Sequence, residues 1–361
     1  MNPNWYVIII AGGRGERFWP RSRLKQPKHL LPIVGGKPML TQTIDRLSNL
    51  ILPENILVIT NAEQLDAIRK ICPKVPPENI VTEPIGRDTT AAIALSTLLI
   101  KEKNKDAVFA VLPADHVIKN SSEFQKSLTS AFKVASSHSY LVTLGIVPTY
   151  AATGYGYIKK GKKIEGKEPI FHVEQFIEKP PFEAAEYYVR SGDYLWNTGI
   201  FVWKVQTIEN ALEKFCPELQ NTLRKVQEGL HHRKKLEALL KDTYPTLEKV
   251  SIDYAVMEKA DNVVAIQVNF DWDDVGSWTA LEGHLPKDKN GNVSQGKVIC
   301  ENAANNIVIS SGGHHVALFG VNNLIVVHTE DATLVCAKEK AQEIKQLLKQ
   351  IGSSTTYQHL L

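Results

Sequence analysis

The sequence predicts a doubly wound α/β sheet with a small β-rich domain behind it. Three observations carry this. Residues 6–11, 56–60, 107–112 and 140–147 are continuous apolar runs, the pattern of strands covered on both faces. Helical patterns at 38–50, 63–71, 89–103 and 122–137 lie between and around them, and strand-helix alternation builds a wound sheet. After the polar, turn-rich stretch Pro286-Lys287-Asp288-Lys289-Asn290-Gly291-Asn292, the apolar runs become short and alternating.

In the third helix Asp88 or Thr89 can cap the start, while Ala91, Ala92, Ile93, Ala94, Leu95, Leu98 and Leu99 give a broad buried stripe. From 154 to 203 the texture changes to short strands, among them 175–177 and 199–203. The segment 207–247 is helical, and its run His231-His232-Arg233-Lys234-Lys235 reads as a solvated helix face rather than a polyanion site. Strand character returns at 263–270. In the tail, short strands around Val298, 307–309, 316–319, 324–327 and 334–335 precede a closing helix at 338–351. The expected division is therefore a main domain at 1–285 and a small β-rich domain with a terminal helix at 293–361. So few residues in short strands bury little alone and need a packing wall.

Length and charge bound the function. At about 150 residues per domain, 361 residues fit two domains. A chain 43% hydrophobic and 22% charged is a folded one. Lys and Arg number 42 against 39 Asp and Glu, a net charge of +3, which excludes the one-sided field of an electrostatic nucleic-acid binder. An anion must then be met by a local cluster. Cys72, Cys216, Cys300 and Cys336 show no C-x-x-C pair and read as buried thiols in a reducing cytoplasm. The first apolar run, 5–11, is too short to span a membrane and lacks a basic flank. A soluble, cytoplasmic protein bound to neither nucleic acid nor membrane is expected.

The strongest local signal is Ala11-Gly12-Gly13-Arg14-Gly15-Glu16-Arg17-Phe18-Trp19-Pro20, directly after the first strand. Glycines there let backbone N–H groups approach a phosphate chain. Phe18 occupies the third glycine's place of a dinucleotide fingerprint, and Gly35-Gly36-Lys37 is followed by Pro38 rather than the Ser or Thr of a Walker loop. Arg14, Arg17, Arg21, Arg23, Lys25 and Lys28 crowd the same stretch, which favours a polyphosphate site over a bland connector. Locally, Lys28 is either a fixed charge or a surface lysine. Asp115 is either a ligand at a strand's carboxyl end or a turn aspartate.

These residues, with Ser22-Arg23 and Pro27-Lys28 after them, resemble the signature of the sugar-1-phosphate nucleotidyltransferases, and Arg17-Phe18-Trp19-Pro20 resembles the mannose-1-phosphate guanylyltransferase branch. Further segments agree, in family order. Glu83-Pro84-Ile85-Gly86-Arg87-Asp88-Thr89-Thr90-Ala91 resembles the branch's base-recognition segment, and Leu112-Pro113-Ala114-Asp115-His116 its first metal segment. Thr153-Gly154-Tyr155-Gly156-Tyr157-Ile158, Phe176-Ile177-Glu178-Lys179-Pro180 and Trp196-Asn197-Thr198-Gly199-Ile200-Phe201 resemble its sugar-phosphate segments. Trp272-Asp273-Asp274-Val275-Gly276-Ser277-Trp278 resembles the second metal segment. Asp88 stands where the family usually has Asn, and Thr90 and Ala92 replace its usual Ala and Pro.

The resemblance implies a Rossmann-like nucleotidyltransferase sheet, a small left-handed β-helix-like C-terminal domain, and a short form without the isomerase domain of longer relatives. It implies transfer of GMP from GTP to mannose 1-phosphate, giving GDP-mannose and pyrophosphate, in a homodimer. Ala11, Gly12, Gly13, Gly15, Glu83, Pro84, Arg87 and Thr89 would hold GTP. Gly154, Glu178, Lys179 and Asn197 would hold mannose 1-phosphate. Arg17, Lys28, Asp115 and Asp274 would be catalytic, with Asp115 and Asp274 binding Mg²⁺ and Asp273 the other candidate ligand. A sugar 1-phosphate, with a second pKa near about 6, attacks the α-phosphorus in line without a general base, so alignment and charge stabilisation suffice. Tyr155, Tyr157, Trp196 and Trp203 read as core and wall. The pairs His231-His232 and His314-His315 have no third ligand cluster for zinc. Other readings are a different sugar-1-phosphate nucleotidyltransferase, a nucleotide-sugar-dependent glycosyltransferase, and a non-catalytic sensor.

Overall fold

The computed structural model describes residues 1–361. The apolar runs become β1 (Trp5–Ile10), β2 (Ile56–Asn61), β3 (Ile80–Glu83), β4 (Val108–Pro113) and β5 (Leu141–Ile146). After them come β6 (Gly156–Lys163), β7 (Ile170–Glu178), β8 (Tyr194–Lys204) and β9 (Val263–Val268). All nine join one sheet in the order β3-β2-β1-β4-β8-β5-β9-β7-β6. Strands β3, β2, β1 and β4 are mutually parallel, whereas β8 runs antiparallel to both β4 and β5. The wound half is thus continued by a mixed half, in which β5 and β9 are parallel and the other pairings antiparallel.

Helices are α1 (Met39–Asp45), α2 (Leu65–Ile71), α3 (Asp88–Lys103), α4 (Ser121–Ser137), α5 (Phe182–Ser191), α6 (Val205–Phe215), α7 (Pro217–His231) and α8 (Leu236–Thr243). In β1, Tyr6 and Ile8 share a core with Ile93 and Leu95 of α3. Trp5, one residue out of phase, stacks on Phe132 of α4 at 4.5 Å. Successive strand residues face opposite ways, so α3 and α4 cover opposite faces, as the unbroken apolar run of β1 requires. The expected Asp88 or Thr89 cap takes a different form. Arg87 is the residue before α3, Asp88 Oδ1 accepts from the Thr89 N–H at 2.7 Å, and the Thr89 hydroxyl accepts from the Ile252 N–H at 2.8 Å. His231 meets Glu102 at 3.1 Å at an exposed helix end.

The chain connects β1 to β2 and β3 on one side and returns to β4 on the other. Carboxyl ends of β1 and β4 therefore lie side by side, the place where wound sheets bind ligands. The chain leaves them through Ala11–Gly13 and Ala114–Asp115.

Packing divides the chain into two units, and the cut is not a single point. The first holds Met1–Gly12, Ile44–Ala114 and Ile118–Trp272; the second holds Gly13–Thr43, Asp115–Val117 and Asp273–Leu361. The division expected at 285–293 is a division of sequence, and by packing the tail has drawn in the glycine loop. The second unit contains β10 (Val293–Gln295), β11 (Lys297–Glu301), β12 (Ile307–Ser310), β13 (His315–Phe319), β14 (Leu324–His328), β15 (Thr333–Ala337) and α9 (Ile344–Ser353). Parallel ladders β10-β12-β14 and β11-β13, whose strands alternate along the chain, make it β-helix-like. Its core joins Val293, Ile307, Ile325 and Val327 to Phe18, Trp19, Leu31, Ile33, Met39 and Trp278. The packing wall that the tail needs is the segment after β1. No helix is long and apolar enough to cross a membrane.

Candidate active site

Within the second unit, Gly15 adopts φ +63°, and a Cβ there would collide with Lys28. That glycine seats Lys28, which is 4% exposed. Its Nζ lies 3.0 Å from Asp115 Oδ2 and donates to the Asp274 carbonyl at 2.5 Å. Far apart in sequence, the two aspartate segments are joined by a small antiparallel bridge: the Val117 N–H donates to Asp273 O at 2.9 Å, and the Asp273 N–H to Val117 O at 3.1 Å. Burial acts to raise the Asp115 carboxyl, but Lys28, His116 and His29 overcome it and hold it at about 2. It is an ionised oxygen donor at neutral pH.

Asp273 and Asp274 differ in their partners. Asp273 Oδ1 accepts from the Val275 N–H at 2.7 Å, and its Oδ2 meets His284 Nε2 at 2.8 Å. Asp274 instead stands beside Arg17: a Cβ on Gly276 would lie 3.2 Å from both Asp274 Oδ2 and Arg17 Nη1. Between them Val275 is fully buried at φ +47°, a strained conformation for a β-branched residue of the kind that gathers at functional sites. Two carboxylates with phosphate and water oxygens are a normal Mg²⁺ donor set, so Asp115 and Asp274 fit that ion.

Not every cation near the loop is left for a phosphate. Arg23 is bound to Asp331 at 2.7 Å and to the Leu360 carbonyl, and lies 5.5 Å over the Trp19 ring. Arg21 reaches Gln295 at 3.4 Å, and Arg14 is exposed near Glu16. Arg17 and Lys28 are the two placed with the aspartates.

In the first unit, Ala11 is buried after β1, and Gly12 faces Glu83: a Cβ there would lie 3.6 Å from Glu83 Oε2. The Glu83 carboxyl accepts from the Tyr244 hydroxyl and is pushed up to about 7 by burial. Pro84 is exposed, Arg87 donates to the Pro245 carbonyl, and Arg87 Nε and the Thr90 hydroxyl are buried with no protein partner. These are polar groups suited to a base, and Thr89, whose hydroxyl accepts from the Ile252 N–H, keeps its own O–H to donate.

A second polar set lies on β7 and β8. Lys179, at φ +49°, turns its ammonium onto Glu178, whose Oε2 is buried without a partner. Asn197 Oδ1 accepts from the Thr143 hydroxyl at 3.0 Å and the Gly199 N–H at 3.2 Å, while its Nδ2 donates to Asp253 Oδ1 at 3.1 Å. Gly154 has open space where a Cβ would be, but at Gly156 a Cβ would strike Glu178. Tyr157, Trp196 and Trp203 are buried, and Tyr155 packs on Trp196 at 5.2 Å and Trp272 at 5.0 Å, as wall residues.

Asp253 escaped the sequence reading. It opens a π-helical turn, Asp253–Met257, a form frequent at functional sites. Burial, then Glu178, pushes its carboxyl up to about 6. In sequence it is one acid among many before an apolar stretch, and no spacing marks it.

Known proteins resemble this chain along nearly its whole length. Residues 6–290 match the nucleotidyl transferase family, and 296–351 match the MannoseP isomerase/GMP-like beta-helix domain. Mannose-1-phosphate guanylyltransferases of Klebsiella pneumoniae and Salmonella montevideo are 37% and 38% identical to this chain, over 98% of it and 75% of each relative. A crystal structure from Thermus thermophilus, described as a mannose-1-phosphate geranyltransferase, superposes with a TM-score of 0.86 at 33% identity, covering 97% of this chain and all of that one.

Proposed function

The chain belongs to the nucleotidyl transferase family, and from that premise we propose that it transfers GMP from GTP to mannose 1-phosphate, releasing GDP-mannose and pyrophosphate. The observation that carries the reaction class is the convergence of Lys28, Asp115, Asp274 and Arg17. The substrate pair is supported by near full-length similarity to enzymes named for that reaction.

Chemistry follows from these groups. The sugar phosphate is mostly a dianion at neutral pH and attacks the α-phosphorus without a base. Lys28, fixed between Asp115 and the Asp274 carbonyl, presents a charge to the phosphate chain, and Arg17 meets the charge that grows as pyrophosphate departs. Mg²⁺ held by Asp115 and Asp274 would supply further charge neutralisation on the phosphates. Glu83, Pro84, Arg87, Thr89 and the loop residues Ala11, Gly12, Gly13 and Gly15 are assigned to GTP. Glu178, Lys179, Asn197 and Gly154 are assigned to mannose 1-phosphate, Glu178 and Asn197 to its hydroxyls and Lys179 to its phosphate. The reading includes a homodimer and a cytoplasmic location; four unpaired thiols are in keeping with a reducing compartment, although only Cys72 of the four is buried as expected, the others being half-buried near strand and helix ends.

Crossing GTP, ATP, UTP and dTTP with several sugar 1-phosphates, and detecting pyrophosphate, tests the proposal. Fastest Mg²⁺-dependent release is expected with GTP and mannose 1-phosphate. Robust synthesis with UTP or dTTP and none with GTP would move the chain to another branch, and no pyrophosphate from any pair would remove the reaction class.

Asp253 is assigned to the same sugar set through its bond to Asn197. Asp253→Asn should raise KM for mannose 1-phosphate about tenfold, because one acceptor for a sugar hydroxyl becomes a donor. KM for GTP should stay within about twofold. Initial rates with each substrate varied check this, and an equal rise in both constants would deny Asp253 a sugar-specific role.

A further inference from the structure

We infer that Gln342, in the C-terminal 3-10 turn Lys338–Glu343, positions the Arg17 guanidinium, which makes the tail a working part of the phosphate site. The inference rests on the reading of Arg17 given above. Gln342 Oε1 accepts from Arg17 Nη1 at 2.8 Å, and its Nε2 reaches Ser277 Oγ at 3.5 Å. One amide thus touches both the loop that follows β1 and the turn that carries Asp274.

The place of that amide is fixed by its flanks. Ala341 and Ile344, 2% and 3% exposed, sit in the same core as Phe18, Val275 and Trp278. Phe18 is the neighbour of Arg17, and Val275 and Trp278 bracket Gly276 and Ser277. Packing therefore locks three backbone segments together, and the Gln342 side chain spans them at the surface.

The chemistry suits positioning rather than contact with substrate. A free arginine samples many rotamers, and part of that freedom is lost when it engages an anion. A partner that holds it in place reduces that loss. A glutamine does so with a neutral oxygen, leaving the positive charge intact, and it occupies one of five N–H donors. A carboxylate in its place would cancel the charge that the departing pyrophosphate needs. As an exposed single hydrogen bond it contributes little to folding.

The test is a double-mutant cycle on the full chain, reading pyrophosphate release at saturating GTP and mannose 1-phosphate. Gln342→Met keeps the side chain's length and removes its polar atoms. It should lower kcat about tenfold, with both KM values within about threefold and the melting temperature nearly unchanged. In the Arg17→Ala background, itself expected to lose turnover, the same change should alter kcat less than about twofold. Wild-type kcat in Gln342→Met, with Arg17→Ala impaired, would overturn the positioning role alone. So would a full tenfold loss on top of Arg17→Ala, since Gln342 would then act through something else. Wild-type kcat in Arg17→Ala would overturn the assignment of Arg17 and the role of Gln342 with it.

Discussion

Asp274→Asn and Asp115→Asn should each lower turnover at least about a hundredfold. Both variants keep shape and remove one unit of negative charge from the place proposed for Mg²⁺, where several kcal/mol of transition-state stabilisation is at stake. Their stabilities should differ. Asp274 presents its carboxylate beside Arg17 at the Gly276 turn, and its loss leaves Lys28 still bound to the main-chain carbonyl. Asp115 is the anion paired with a lysine only 4% exposed. Asp115→Asn strands part of that buried charge, a destabilisation on the order of 1–3 kcal/mol. Steady-state assays with thermal or urea unfolding on the same preparations separate the two effects. Full turnover in Asp274→Asn would return Asp273 to candidacy, against its engagement with Val275 and His284.

Those two aspartates also mark the limit of what the sequence discloses. Strands β1, β2, β4 and β5 were legible because a strand covered on both faces needs an unbroken apolar run, and each has one. Strand β3 was not: Ile80–Glu83 is four residues long and lies close to Pro77 and Pro84, so composition speaks for a turn. The antiparallel entry of β8 between β4 and β5 depends on long-range pairing that no local pattern encodes. The gathering of the Asp115 and Asp274 segments about Lys28 has the same character, because the two are joined by the Val117–Asp273 bridge.

Electrostatics misled in a different way. Six cations beside a glycine loop suggest one phosphate cradle, yet a guanidinium serves equally to tie backbone to backbone. Arg23 does this with Asp331 and the Leu360 carbonyl, and Arg21 leans toward Gln295. Their partners lie in the tail, hundreds of residues away, so the sequence offers no means of telling a clamp from a ligand. Gln342 is invisible for the same reason. What remained legible was the loop's need for glycine, since Gly15 alone allows Lys28 its approach.

Ending the chain after Leu285 should abolish turnover and leave a protein prone to aggregate, although every residue assigned to substrate would still be present. The reason is the shared core. Phe18, Trp19, Leu31, Ile33, Met39 and Trp278 are buried against Val293, Ile307, Ile325, Val327, Leu334 and Ile344. Burying one such side chain is worth about 1.5–3 kcal/mol, so uncovering several removes an amount comparable to the roughly 5–15 kcal/mol that holds a domain folded. The Trp19 indole and Arg23 would also lose the Leu360 carbonyl that both bind. With its wall gone, the segment carrying Arg17 and Lys28 has nothing to hold it against Asp115 and Asp274. The exposed apolar area would then seek other chains. Light scattering and pyrophosphate release on both lengths decide the matter. A truncated protein that is monodisperse, with the parent's stoichiometry and turnover, would show that the loop keeps its conformation without the tail and that the shared core is dispensable.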